Sequence, residues 1–349
     1  MSAGTGARTR LSTVPPRRRR AWPGLVAAAV IGALLAAAAV LLLRDDEAAT
    51  PQARADSPPP LPGPGADVVG RPIRVGEDTT GINAGVRHVW VGSSADQSLS
   101  LIDPTIDAVI SRRTAIGDRP GSIITALGSI WVTRPDAGAV NRVDPRGGVV
   151  TAVIPVGDSP SALASSADSI WVANEDDDTV VRIDARTHQV VGRPIEVGQR
   201  PTSIVYGDGS VWVANFEDDT VSRIDARSRR VVATIPVGDQ PLALAEGAGA
   251  IWVSEQEDDS VSRIDPDSGR VARTVEVGDR PRYIDADPER VWVPNAGDGT
   301  VSVIDARSNR VLADPVQVGR GVDRVSVGLD AVWVTQPVDG TVVRIEPGG

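Results

Sequence analysis

The chain has 349 residues, a formal net charge of −10, no cysteine and no lysine, so all 36 basic residues are arginine. No disulfide framework is available, and the acidic balance argues against a nucleic-acid partner. The length allows one large domain with attachments.

Residues 1–20 are polar and basic, with Arg8, Arg10 and the run Arg17 to Arg20. From Ala21 to Leu43 there follow 23 residues without a charge, enough to cross roughly 30 Å of hydrocarbon as a helix. The basic flank lies before this segment and Arg44-Asp45-Asp46-Glu47 after it, which predicts a single-pass helix over 21–43 with the N-terminus in the cytoplasm. A cleaved signal peptide is the rival reading. Its apolar core runs about 7–15 residues, shorter than this one, and the small-x-small site Ala53-Arg54-Ala55 lies far downstream, so the anchor is the expectation. Residues 44–67 contain Pro51, Pro58, Pro59, Pro60, Pro62 and Pro64 and predict an extended spacer. With the arginines of 1–20 set apart, the exported remainder is more acidic than the whole chain, which also argues against docking on anionic lipid.

Beyond the spacer the chain repeats itself. Trp90, Trp131, Trp171, Trp212, Trp252, Trp292 and Trp333 recur every 40 or 41 residues, a spacing that marks one supersecondary unit per repeat. Within a unit the side-chain period is two. Strands are predicted at Ser203 to Tyr206, Ser210 to Ala214, Thr220 to Ile224 and Val231 to Val237, separated by Gly207-Asp208-Gly209, an acidic turn and Asp225-Ala226-Arg227-Ser228. Four strands in each of seven units predict an all-β, seven-bladed β-propeller over 68–349.

The last unit stops one strand short, after Glu346, while residues 68 to 76 match residues 190 to 198, the outer strand of another unit, at all positions but one. The expectation is that this N-terminal strand completes blade seven. Pro72, Pro155, Pro194, Pro236 and Pro315 fall in the fourth strand of five units. Each removes a ladder donor, which an edge strand tolerates, so the fourth strand is read as the outer one.

The unit from Val211 to Gly238 reads Val-Trp-Val-Ala-Asn, an acidic turn, Thr-Val-Ser-Arg-Ile-Asp, then Val-Val-Ala-Thr-Ile-Pro-Val-Gly. It resembles the YVTN-type β-propeller repeat family, and the likeness covers residues 68–349. The resemblance implies a propeller; similar domains occur as surface-layer proteins, periplasmic proteins and sensor modules of receptor kinases, and related propellers include virginiamycin B lyase and lactonases. No kinase glycine loop or catalytic loop is present.

The repeated tryptophans are read as filling the space between blades, and the aspartates Asp103, Asp144, Asp184, Asp225, Asp265 and Asp305 as forming turns. Arg142, Arg182, Arg223, Arg263 and Arg344, two residues before such turns, are read as cross-strand or blade-to-blade partners. The lyase resemblance implies catalysis by His and Glu with a divalent metal. His88 and His188, the two histidines, fall in turns on the face opposite the usual ligand face, so no catalytic residue is assigned.

The ligand face carries charge instead. Glu175, Asp176, Asp177 and Asp178, then Phe216, Glu217, Asp218 and Asp219, then Glu255, Glu257, Asp258 and Asp259 occupy the same loop of blades three, four and five, while blades six and seven are milder there. That sector is the candidate binding patch, for Ca²⁺, a polyamine, a basic peptide or another envelope protein or glycan; a solvated acidic rim without a ligand is the competing reading. The function expected is non-enzymatic binding, sensing or scaffolding outside the cytoplasmic membrane. A metal-dependent propeller lyase or hydrolase is the alternative.

Overall fold

Alternation of β-branched and small residues, punctuated every few positions by Asp-Gly, Ala-Arg or Val-Gly, gives short strands and tight turns throughout. The computed structural model describes residues 66–312 and 314–348; the expected helix at 21–43 lies outside them. Among the described residues no helix is long and apolar enough to cross a membrane. Seven separate antiparallel sheets follow one another along the chain, and the architecture is a seven-bladed β-propeller. Blade four shows the unit: inner strand Pro201–Gly207, second strand Ser210–Asn215, third strand Thr220–Asp225 and outer strand Arg230–Pro236, hydrogen-bonded in that order.

Outer strands are where the sequence bends the sheet. In blade three the outer strand is broken into Gln189–Val190 and Ile195–Glu196, and in blade six into Arg310–Val311 and Val316–Gln317. Pro194 and Pro315 lie in these breaks rather than inside a continuous strand, because a residue without an N–H interrupts the ladder. Gly192, at φ 81, adds a left-handed turn to the first of them. The same irregularity recurs at the N-terminal side of the domain. Asp67–Arg74 pairs antiparallel with Thr341–Glu346, from Asp67 opposite Glu346 to Arg74 opposite Thr341, with a bulge between Val69 and Ile73 that takes up Gly70 and Pro72.

The core lies between blades. Each second-strand tryptophan leaves its own sheet and joins the apolar cluster of the next blade: Trp171 with Ile204, Val211 and Val213, and Trp212 with Leu244, Ile251 and Val253. Trp333, in the last blade, lies with Ile82, Val89 and Val91 of the first, so the ring of clusters closes on itself. Six of the seven tryptophans are 1 % exposed or less and Trp90 is 4 % exposed. Burying an aromatic side chain of this size contributes a few kcal/mol, and the repeat applies that contribution at every blade junction.

Candidate functional site

Two kinds of loop share one face of the ring: the turns joining second to third strands, and the crossings that carry the chain from one blade's outer strand to the next blade's inner strand. The acidic residues sit in the first kind. Counting from the residue that ends the second strand (Asn174, Asn215 or Glu255), the fourth residue of every turn has a left-handed backbone: Gln97, Gly138, Asp178, Asp219, Asp259, Gly299 and Gly340, at φ between 48 and 72. Glycine or aspartate tolerates that region best. The carbonyl of this residue accepts the N–H of the outer strand's final valine or isoleucine, as Asp178 does from Val197 at 3.0 Å and Gly340 from Val75 at 3.0 Å.

Aspartate at the third and fourth positions uses its side chain in the same way. Asp177, Asp218 and Asp258 each accept, through Oδ2, a backbone N–H of the crossing that leads into their own blade, from Asp158, Gln199 and Asp239 at 2.8 Å. Asp178, Asp219 and Asp259 accept, through Oδ1, a backbone N–H of the crossing that leaves the blade, from Arg200, Gln240 and Arg280 at 2.8, 2.9 and 2.8 Å. Six of the carboxylates expected to face a ligand therefore clamp backbone. The third-position aspartate is moreover a property of the repeat, present as Asp96, Asp298 and Asp339 in blades one, six and seven as well, and Asp298 accepts the N–H of Asp279 at 3.2 Å. With these side chains committed to backbone, the uncommitted acidity of blades three to five shrinks to the first two turn positions, and the second of these is acidic in blade two as well, as Asp136.

Those positions divide again. Arg200 reaches Glu175 at 2.9 Å and Glu217 at 3.6 Å, and its guanidinium lies 4.9 Å over the ring of Phe216. The Glu175 carboxylate beside it holds the Arg200 guanidinium above its ordinary value. Asp176 and Glu257 are exposed. Among the described residues, no group of three or more His, Cys, Asp or Glu side chains converges in a metal-holding arrangement.

The other face is architectural. Asp225 accepts the N–H of Ser228 at 2.6 Å, and the Ser228 hydroxyl and N–H hold its carboxyl below the usual carboxylate range; Asp103, Asp184, Asp265 and Asp305 are lowered by hydrogen bonds in the same turn. Arg182, Arg223, Arg263 and Arg344 lie across the ladder over Trp171, Trp212, Trp252 and Trp333, with guanidinium-to-ring distances of 4.8 to 5.8 Å. Arg142 lies opposite Trp131 in the ladder and bonds Thr151, while His188 of the next blade meets that tryptophan edge-on at 6.4 Å. His88 falls in the turn before Val89–Ser93, also on this face.

Sequence reasoning passed over a second group on the ligand face, where the inner strands of blades six and seven begin. Arg282 donates from Nε to Asp323 Oδ1 at 2.9 Å and from Nη1 to Gln256 Oε1 at 3.2 Å. Arg324 lies flat against Tyr283, its guanidinium carbon 3.5 Å from the ring centre. The two strands also bond each other directly, Tyr283 N to Asp323 O at 3.1 Å and Val325 N to Tyr283 O at 3.3 Å. A little further along, Asp285 Oδ2 accepts the N–H of Val327 at 2.8 Å, and burial pushes its carboxyl up to about 6.

No family model matches this chain, and no curated protein does. Solved structures do. A streptogramin B lyase is 17% identical with a TM-score of 0.68, over 81% of this chain and 96% of that one. The chain is similar to virginiamycin B lyase-like seven-bladed propellers. Virginiamycin B lyase from Staphylococcus aureus itself is 16% identical, TM-score 0.68, over 77% of this chain and 94% of the lyase. Hydrazine synthase from Kuenenia stuttgartiensis is as near, 16% identical with a TM-score of 0.67 over 77% and 95%. Two unlike chemistries at equal distance show that the likeness reaches the fold and stops there.

Proposed function

We propose that the chain is a non-enzymatic binding propeller, held outside the cytoplasmic membrane by residues 21–43 and the spacer 44–67, that takes a cationic ligand or the basic surface of an envelope partner. What carries this reading is the clamping of both crossings by Asp177, Asp178, Asp218, Asp219, Asp258 and Asp259. It fixes the rim, so that Asp176 and Glu257 stand outward, with the half-exposed Glu217 beside Arg200 between them, on backbone that need not be ordered on binding, and a pre-ordered surface loses less entropy when it associates. The YVTN-type likeness of the repeat agrees with an envelope setting. Pairing of Asp67–Arg74 with the last blade is proposed to keep the ring shut, since it removes the open end a linear array would expose.

A metal-dependent lyase has the structural neighbours in its favour. Both histidines lie on the other face, so its general base would have to be a carboxylate of the ligand face.

The test is the melting temperature of the full chain with chelator, with Ca²⁺ and with spermine, for the wild type and for the combined Asp176→Asn, Glu217→Gln, Glu257→Gln variant. Binding to the folded form at 100 times the dissociation constant stabilises by about 2.7 kcal/mol. A rise with spermine that the variant loses supports the reading; a rise with Ca²⁺ alone moves the site to a metal; equal curves for both proteins refute it.

A further inference from the structure

The start of the inner strand is the place where blades six and seven abandon the repeat. Two residues before the one that faces the second-strand tryptophan, five blades have Gly81, Ser122, Ala162, Ser203 and Ala243, whereas blades six and seven have Tyr283 and Arg324. One residue earlier, Arg282 and Asp323 stand where the others have Thr, Gly, Ser or Leu. The unit folds five times without these side chains, so blade packing does not account for them.

Their hydrogen bonding is unequal. Arg282 is occupied: Nε and Nη2 meet Asp323 Oδ1 at 2.9 and 2.8 Å, and Nη1 meets Gln256. Arg324 is held but not occupied. Its nearest carboxylate oxygen is Asp323 Oδ2, 3.6 Å from Nε, its buried Nε makes no hydrogen bond, and among the described residues its Nη groups have no acceptor. Stacking on Tyr283 fixes its plane, and the side chain remains 21% exposed. Arg282 stands over the same ring at 5.6 Å. One carboxylate serves two guanidinium groups, so the group keeps a positive charge. A planar, pre-oriented guanidinium with its donors unspent fits the two oxygens of a carboxylate or phosphate.

The geometry points to an oxyanion-binding site where the inner strands of blades six and seven begin, with the Arg324 fork as the recognising group, Arg282 as the supporting charge and Tyr283 as the platform that orients Arg324. The ligand is one that carries a carboxylate or a phosphate. This deepens the reading of the chain as a binding propeller but uses residues separate from the acidic rim, and the nearby Glu257 opposes it.

The experiment is calorimetric titration of the full chain with sodium phosphate and, separately, sodium succinate, ionic strength being held constant with chloride. Saturable binding of at least one is expected, weakened about tenfold or more in Arg324→Ser, which installs the residue of blades two and four. Arg324→Lys keeps the charge without the fork and tests the site should the serine variant not fold; it too is expected to weaken binding. Response to phosphate alone assigns a phosphate ligand, and response to succinate alone a carboxylate. No saturable heat with either, or equal affinity in the wild type and both variants, overturns the proposal. Spermine binding measured on the same variants stays intact if only this site fails, so its loss is told apart from failure of the acidic rim.

Discussion

The backbone N–H of Arg200 donates to Asp178 Oδ1 at 2.8 Å, so a carboxylate of blade three holds the loop that enters blade four. The same relation joins Gln240 to Asp219 and Arg280 to Asp259. Removing such an acceptor leaves a backbone donor to solvent or to nothing, depending on its exposure. Asp219→Ala is expected to destabilise by about 1–3 kcal/mol, with strain added because alanine must adopt the positive φ of 53; Asp219→Asn, which keeps an acceptor and tolerates that backbone, should lose much less. Denaturant midpoints of the two variants check the order, and equal midpoints would mean that the clamp contributes nothing.

The tryptophans give a larger effect. Trp212→Ala empties a cluster shared by blades four and five and should cost about 3–5 kcal/mol. The loss should appear as a lower unfolding midpoint for the whole domain rather than a separate early transition, because both neighbours of every blade depend on the same kind of junction.

Much of this was legible in the chain. Seven tryptophans at one spacing gave the blade count, and residues 68 to 76 resembled an outer strand because they bear the same Gly-Arg-Pro break as residues 192–194. The acidic turns were harder. Asp177 meets Asp158 across 19 positions and Asp178 meets Arg200 across 22, so their partners lie in loops that only the ring brings together. One signal was present: aspartate at the third turn position in blades one, six and seven as well as three to five marks a structural site, whereas the second position is acidic only from blade two to blade five, as Asp136, Asp176, Glu217 and Glu257. The same column comparison would have exposed Tyr283 and Arg324, which break a row of small residues without altering the strand pattern.

Acid titration should show two opposite slopes. Asp285 has a folded pKa of about 6, raised by burial, so between about pH 4 and pH 6 the folded state binds more protons than the unfolded one and stability falls as pH rises. Discounted for partial exposure, the effect is about 1–2 kcal/mol, and Asp285→Asn should flatten that limb. The turn aspartates, among them Asp184 and Asp225, are lowered by their own turns. Their contribution is present above the usual carboxylate pKa and disappears as pH falls below it. Melting temperatures from pH 3 to pH 8 should therefore pass through a maximum near the ordinary carboxylate range, and a monotonic curve in the wild type would speak against one of the two assignments.

Deletion of 67–74 uncovers the third strand Thr341–Glu346 as an edge. The shortened chain is expected to melt lower and to associate, since an exposed strand edge templates further pairing. A monomer with an unchanged melting curve would show that the apolar junction of Trp333 with blade one closes the ring unaided.

Binding by the outward carboxylates is the claim on which the functional account rests, and titration of the full chain with a basic peptide at low and at physiological salt tests it most directly. The account predicts saturable binding that weakens as salt screens the rim and that is lost in the combined Asp176→Asn, Glu217→Gln, Glu257→Gln variant, whose melting temperature stays that of the wild type. Binding that survives in this variant, or its absence from the wild type at low salt, would contradict the account.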